Sequence, residues 1–170
     1  PFKESNLLKD YIDMCINYKL KFEKYPSLLK KTHDIVAKNI NILQEVSITE
    51  LENDFKEATM KYFEVESKIV VDDPFNPGKK KRYLFKVPTS IKELIQEGNN
   101  LHHCVGSYAK KIINGESRIV FMRDADNPNV SFITIDIDEN YNLVAAKKNF
   151  NEEPEKEYYE IIKKWLKEKK

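Results

Sequence analysis

Chemistry in this chain concentrates in one stretch, Asn100-Leu101-His102-His103-Cys104-Val105-Gly106-Ser107-Tyr108, where two of the three histidines adjoin one of the two cysteines. A thiolate beside an imidazole is the minimum apparatus for nucleophilic catalysis: the base withdraws the thiol proton and a helix start steadies the developing charge. With Asn100 as the cap of a helix running to about Asn114, Cys104 falls in or just past the first turn, where free backbone N–H groups favour a thiolate. The same helix sets Leu101, Val105, Tyr108 and Ile112 on one stripe that Cys104 borders, so a packed thiol, a binding-site thiol and a covalent nucleophile are all open readings. Adjacent helical residues diverge by about 100°, so His102 and His103 cannot both serve one helical site. His103, on a polar face with Ser107 and Lys110, is the better candidate. Gly106 marks a bend or a close approach of backbone or ligand. The divergence also argues against two adjacent histidines and a cysteine converging on one ion, so neither a metal nor a cofactor is expected.

The elements that position this stretch follow from periodicity. Leu8, Tyr11, Ile12, Cys15 and Tyr18 recur at helical steps between Ser5 and about Glu23; Pro26 opens a second helix carrying Leu29, His33, Val36 and Ile40 on one stripe. Ser47 and Glu50 form a capping box for a third, with Leu51, Phe55, Ala58 and Tyr62 as its buried face. The pattern changes near Ser67. Lys68–Val71 and Arg82–Val87 read as a hairpin around Asp72–Gly78, and a short helix over Ile91–Glu97 is stopped by Gly98. Strands are predicted over Ser117–Arg123, Val130–Ile137 and Tyr141–Lys148, joined by hairpin-type turns, and Tyr158, Ile161, Ile162, Trp165 and Leu166 mark a closing helix. The expected class is α+β: a helical region over residues 1–65, then a domain over 66–170 with a mainly antiparallel sheet, a hairpin plus a three-stranded meander, and helices packed on one face.

On the middle strand, alternation puts Ile133, Ile135 and Ile137 on one face and Phe132, Thr134 and Asp136 on the other. Arg123 ends the preceding strand and Lys147 lies on the next. With His103, Ser107 and Tyr108 they make a constellation suited to an anionic ligand; the competing reading is a solvated sheet face with cross-strand ion pairs. Lys79, Lys80, Lys81 and Arg82 form the densest cationic run, a candidate nucleic-acid contact or a lysine-protected hairpin edge.

Composition bounds these readings. The 170 residues, 41% hydrophobic and 34% charged, belong to a globular protein long enough to bury a core without staples. The formal charge of +1 argues against a large phosphate interface, and only Arg82, Arg118 and Arg123 offer a planar guanidinium grip. Unpaired cysteines, no signal-peptide pattern and no apolar run of about 18 residues point to a reducing, cytoplasmic chain with no membrane partner. The chain opens on Pro1, as expected of a fragment or processed product.

From about Ile91 to Trp165 the sequence resembles the PcfJ-like family of bacterial conjugative plasmids, related mobile elements and phages. The resemblance rests on Gly98-Asn99-Asn100-Leu101-His102-His103-Cys104-Val105-Gly106-Ser107-Tyr108, then Gly115-Glu116, Ile119-Val120-Phe121-Met122-Arg123 and Thr134-Ile135-Asp136, in that order. It implies that the family's paired His-Cys falls on His103 and Cys104, its tyrosine on Tyr108 and its late asparagine on Asn151. Ala145 stands where relatives often carry glutamine, and Lys148 where they carry glycine. The first expectation for function is therefore a mobile-element accessory module that binds nucleic acid or another anionic ligand around His103-Cys104. The alternatives are a thiol-dependent enzyme with Cys104 as nucleophile and a histidine base, and a structural protein-interaction domain. The N-terminal helices are a candidate surface for a protein partner.

Overall fold

The computed structural model describes residues 48–170. The helices expected upstream, with Cys15, His33 and the Ser47 cap, lie outside the described residues. Five strands form one antiparallel sheet in chain order: β1 Ser67–Asp72, β2 Lys80–Lys86, β3 Arg118–Asp124, β4 Ile133–Ile137 and β5 Leu143–Lys147. Four α-helices accompany them: α1 Ile48–Met60, α2 Ile91–Leu101, α3 Ala109–Ile113 and α4 Lys156–Lys169. Among the described residues no helix is long and apolar enough to cross a membrane.

The α+β class and the antiparallel sheet agree with expectation, and the hairpin and the three-stranded meander are one continuous sheet, because β2 pairs with β3. The helices lie on both faces of the sheet, not on one. Leu51, Phe55 and Ala58 of α1 pack with Ile91, Leu94, Ile95, Ala109 and Ile112 against Ile119 and Phe121. Val120 and Met122 alternate to the other face and join Ile133, Ile135 and Ile137 under Ile161, Ile162, Trp165 and Leu166 of α4. Strand β3 is thus covered on both sides, which is why its apolar run is continuous rather than alternating. Trp165 stacks on Phe85 at 4.1 Å, and its indole N–H donates to Ser67 Oγ at 2.9 Å and to the Val65 carbonyl at 3.3 Å. A large apolar ring is buried there with its one donor satisfied.

The helical boundaries around the chemical stretch differ from those expected. Ser90 caps α2, its hydroxyl accepting from Glu93 N–H while Glu93 reaches back to Thr89 N–H. The helix runs through Gly98 to Leu101 and stops where His102 turns left-handed (φ 51°, ψ 49°). A 3₁₀ turn over Cys104–Ser107 and the short α3 follow, so no continuous helix spans Asn100–Asn114.

Backbone contact is the physical reason. A Cβ added at Gly98 would lie 2.9 Å from Gly106 N and 3.0 Å from His103 O, and one at Gly106 would lie 3.3 Å from Ile95 Cα. Two of the chain's four glycines let the turn fold flat onto α2. Gly106 therefore marks the close approach its position suggested, and Gly98 is a packing residue rather than a stop. Alanine at 98 gains about 1 kcal/mol of helix propensity but meets backbone atoms that cannot rotate away, an overpacking cost of about 1–3 kcal/mol. Gly98→Ala is expected to lower the melting temperature by several degrees in a thermal unfolding scan; an unchanged or raised value would show that the turn is not held there.

Candidate functional site

The turn after α2 delivers His103 to the sheet. Its backbone is extended (φ −140°, ψ 176°), and its side chain caps the 3₁₀ turn, Nδ1 accepting from Val105 N–H at 3.4 Å. An accepting Nδ1 leaves the ring proton on Nε2, which lies 3.0 Å from Thr134 Oγ1. The imidazole donates to the threonine, whose own hydroxyl proton is released to point elsewhere. Burial lowers the His103 pKa below its ordinary 6.5, opposed by the Glu97 carboxylate, so the neutral ring is the resting form.

Around this pair lies a small cleft of about 50 Å³ lined by His103, Cys104, Tyr108, Thr134, Asp136, Ala145, Lys147 and Asn151 over Val105 and Ile119. Seven of these residues are sequence-predicted site residues, drawn together from the turn, the start of α3, β4, β5 and the loop beyond. Thr134 and Lys147 are cross-strand partners, and Asp136 faces Ala145. Asp136 accepts from Ser117 Oγ at 2.8 Å and from Arg118 N–H at 3.2 Å; burial raises its pKa despite these bonds. Lys147 Nζ lies 3.6 Å from Glu153. The Cys104 thiol is exposed, not core. Tyr108 is hydrogen-bonded to Cys104, although burial is the larger cause of its raised phenol pKa.

Other predicted residues fall elsewhere. Ser107 is exposed and closes its own turn, donating to the Cys104 carbonyl at 2.8 Å. Arg123 is buried in a two-pronged pair with Glu97, Nη1 to Oε1 at 2.7 Å and Nη2 to Oε2. In the hairpin, Lys80 pairs with Asp72, and Lys81 lies 2.7 Å from Asp124 and 3.1 Å from Asp126. Lys79 and Arg82 are exposed. Half the cationic run is thus answered by carboxylates.

Two arrangements escaped the sequence reading. Glu97 is 2% exposed, and besides Arg123 it accepts from Ser131 Oγ at 2.9 Å, which in turn accepts from Asn100 Nδ2 at 3.0 Å. The available signal was spacing: Glu97 stands three residues after Leu94 and four before Leu101, on the buried face of α2. The other is the parallel stack of His102 on Phe150 at 4.8 Å. Both residues have left-handed backbones, as does Asn151. Such conformations cost about 1–3 kcal/mol each and cluster at functional sites. Among the described residues, no group of three or more His, Cys, Asp or Glu is arranged to hold a metal ion.

The family described as PcfJ-like protein matches residues 7–162. The chain belongs to this family. The match takes in residues 7–90, which the motif-based resemblance left out. Uncharacterized protein Lin1253/Lin1744 of Listeria innocua serovar 6a is 33% identical to this PcfJ-like chain over 85 residues, 49% of the chain and 18% of that relative. The chain therefore spans less than a fifth of that relative's length. No solved structure matches it.

Two measurements check this geometry. Arg123→Met strips a buried carboxylate of its cation and is expected to cost about 3–5 kcal/mol in urea denaturation, part of it recovered by adding Glu97→Gln. Unchanged stability in the single Arg123→Met variant would mean the pair is not buried. His103, with its pKa lowered, binds fewer protons folded than unfolded, so its stabilising contribution is complete above the ordinary 6.5 and is lost as pH falls through the folded value. An NMR titration of its ring should give a midpoint below 6.5; a higher one would contradict the neutral tautomer.

Proposed function

We propose that this PcfJ-like protein is an accessory binding module of a bacterial mobile element, and that its His103-Cys104 cleft takes a single anionic oxygen group, a phosphate of a nucleic acid. The observation that carries the reading is the excess of donors. The Thr134 hydroxyl is freed by accepting from His103, and the Asn151 carboxamide and the Lys147 ammonium, 3.6 Å from the exposed Glu153, line the same space, while the Tyr108 phenol is engaged by Cys104. Asp136 is the acceptor among them, and its two oxygens already serve Ser117 and Arg118. The cleft's small volume suits one group, not a tracked backbone. The formal charge of +1 and the paired hairpin lysines argue in the same direction.

Thiol catalysis with His103 as base is less well supported, because Nδ1 is engaged by Val105 N–H and Nε2 by Thr134. An exposed Cys104 hydrogen-bonded to Tyr108 fits a rim contact to the ligand better than a base-activated nucleophile.

The test is fluorescence anisotropy with a labelled single-stranded oligonucleotide, titrated at several salt concentrations. One or two phosphate contacts predict a shallow dependence, log K against log salt falling with a slope of roughly −1. Lys147→Met is expected to weaken binding about tenfold and flatten that slope. Affinity indifferent to salt, or a Lys147→Met variant that binds like the wild type, would refute the assignment.

A further inference from the structure

Beside the His103 cleft, where β4 and β5 meet the last turn of α2 and the start of α4, runs a much larger groove of about 480 Å³. Phe75, Phe132 and Tyr158 form its ring wall, and Asn100, Ser131 and Asn149 are among its polar lining. We propose that this groove binds an unpaired nucleobase, stacked along the ring wall with its hydrogen-bonding edge on the Asn100 and Asn149 carboxamides. The base is supplied either by a free nucleotide or by single-stranded nucleic acid; in the second case the proposal rests on the phosphate reading above.

Size and chemistry both select this class. The groove falls within the range of roughly 300–1,000 Å³ typical of small-ligand sites, about an order of magnitude larger than the neighbouring cleft. Its aromatic wall is braced: Phe132 stacks parallel on Tyr83 at 6.3 Å and meets Tyr158 edge-on at 4.9 Å, while Phe75 lies 5.4 Å from Tyr158 and is 50% exposed. A half-exposed ring over braced rings offers apolar area to a planar ligand.

The polar side is positioned as well. Asn100 Nδ2 donates to Ser131 Oγ, Ser131 donates to Glu97, and Glu97 is clamped by Arg123. That chain of bonds uses one of the two Asn100 amide hydrogens and fixes the carboxamide, leaving its carbonyl oxygen as an acceptor and one N–H as a donor. Asn149 supplies a second carboxamide, with both donor and acceptor. The local charges cancel, since Lys148 pairs with Glu155. A neutral, planar group with adjacent donors and acceptors fits these features, whereas a charged group finds no uncompensated partner. Lys147 and Asn151 line the phosphate cleft while Lys148 and Asn149 line the groove, so one loop joins the two sites.

The experiment uses the whole chain with Phe75→Ala and Asn100→Ala, two exposed side chains, their folding verified by circular dichroism. The probes are adenosine and thymidine monophosphates, a labelled adenine oligonucleotide and the same oligonucleotide made abasic. Each variant is expected to lose roughly tenfold or more in oligonucleotide affinity with the salt slope unchanged, and the abasic strand to bind the wild type as weakly. Monophosphates should shift the Asn100 and Asn149 side-chain amide resonances; shifts with monophosphates but no oligonucleotide binding would name the free nucleotide as the source and reject the phosphate reading alone. Abasic and intact strands binding alike, or both variants binding like the wild type while Lys147→Met is weakened, would overturn the groove and leave the phosphate cleft standing. Binding by none of the probes would overturn both.

Discussion

Everything that gathers at the His103 cleft depends on one backbone-on-backbone contact, the 3₁₀ turn lying flat on α2 at Gly98 and Gly106. Its closeness is measured by what a single methyl carbon would meet: 2.9 Å to one backbone nitrogen and 3.0 Å to one carbonyl oxygen. Backbone atoms have no rotamer to escape into, so even a methyl group at Gly98 must displace the turn. It holds because the turn's polar groups are satisfied locally. His103 N–H donates to the Gly98 carbonyl, His103 Nδ1 accepts from Val105 N–H, and Ser107 closes on the Cys104 carbonyl. With the turn seated, Val105 points into the core beneath, Cys104 stays exposed above, and His103 reaches across to Thr134.

The other side of α2 is fixed electrostatically. Glu97 and Arg123 bury opposite charges in a two-pronged pair that joins the helix to β3, with Ser131 as a further donor. Burying two ions is costly and adds little net stability, but breaking the pair strands a buried charge, which penalises any other arrangement. Here the arrangement is the orientation of α2 on the sheet, from which both the His103 turn and the Asn100 side chain project. The Glu97 charge also reaches His103, opposing the burial that keeps its ring neutral. The two recesses beside this helix therefore share one mechanical support, and the left-handed His102 and Phe150, stacked on one another, tie its end to the loop after β5.

Polarity separates the two recesses. The smaller gathers donors around a neutral imidazole with one lysine; the larger sets carboxamides against rings with its charges cancelled. A chain with nearly balanced charge cannot attract a polyanion over a broad surface, and half of its hairpin's cationic run is answered by Asp72, Asp124 and Asp126. What specificity it has must come from a few positioned groups.

The sequence read locally located the five strands and the turns between them, because two-residue alternation is a local property, and it named His103, Tyr108, Thr134, Asp136 and Lys147, which line one cleft, together with Ser107 and Arg123, which do not. It also marked Gly106 as a place of close approach. It misread Gly98 as a stop and the following stretch as one helix, since helical propensity carries no record of the turn that packs against it. It set Arg123 among ligand contacts, because a guanidinium at a strand end looks free until the carboxylate it faces, 26 residues away in the chain, is brought alongside. Tertiary packing alone settled that Cys104 is exposed, that the two His103 nitrogens are taken by Val105 N–H and Thr134, and that α4 covers the opposite face. Each of these follows from which surfaces meet, and meeting is decided by the packing of distant segments, not by the residues nearest in sequence.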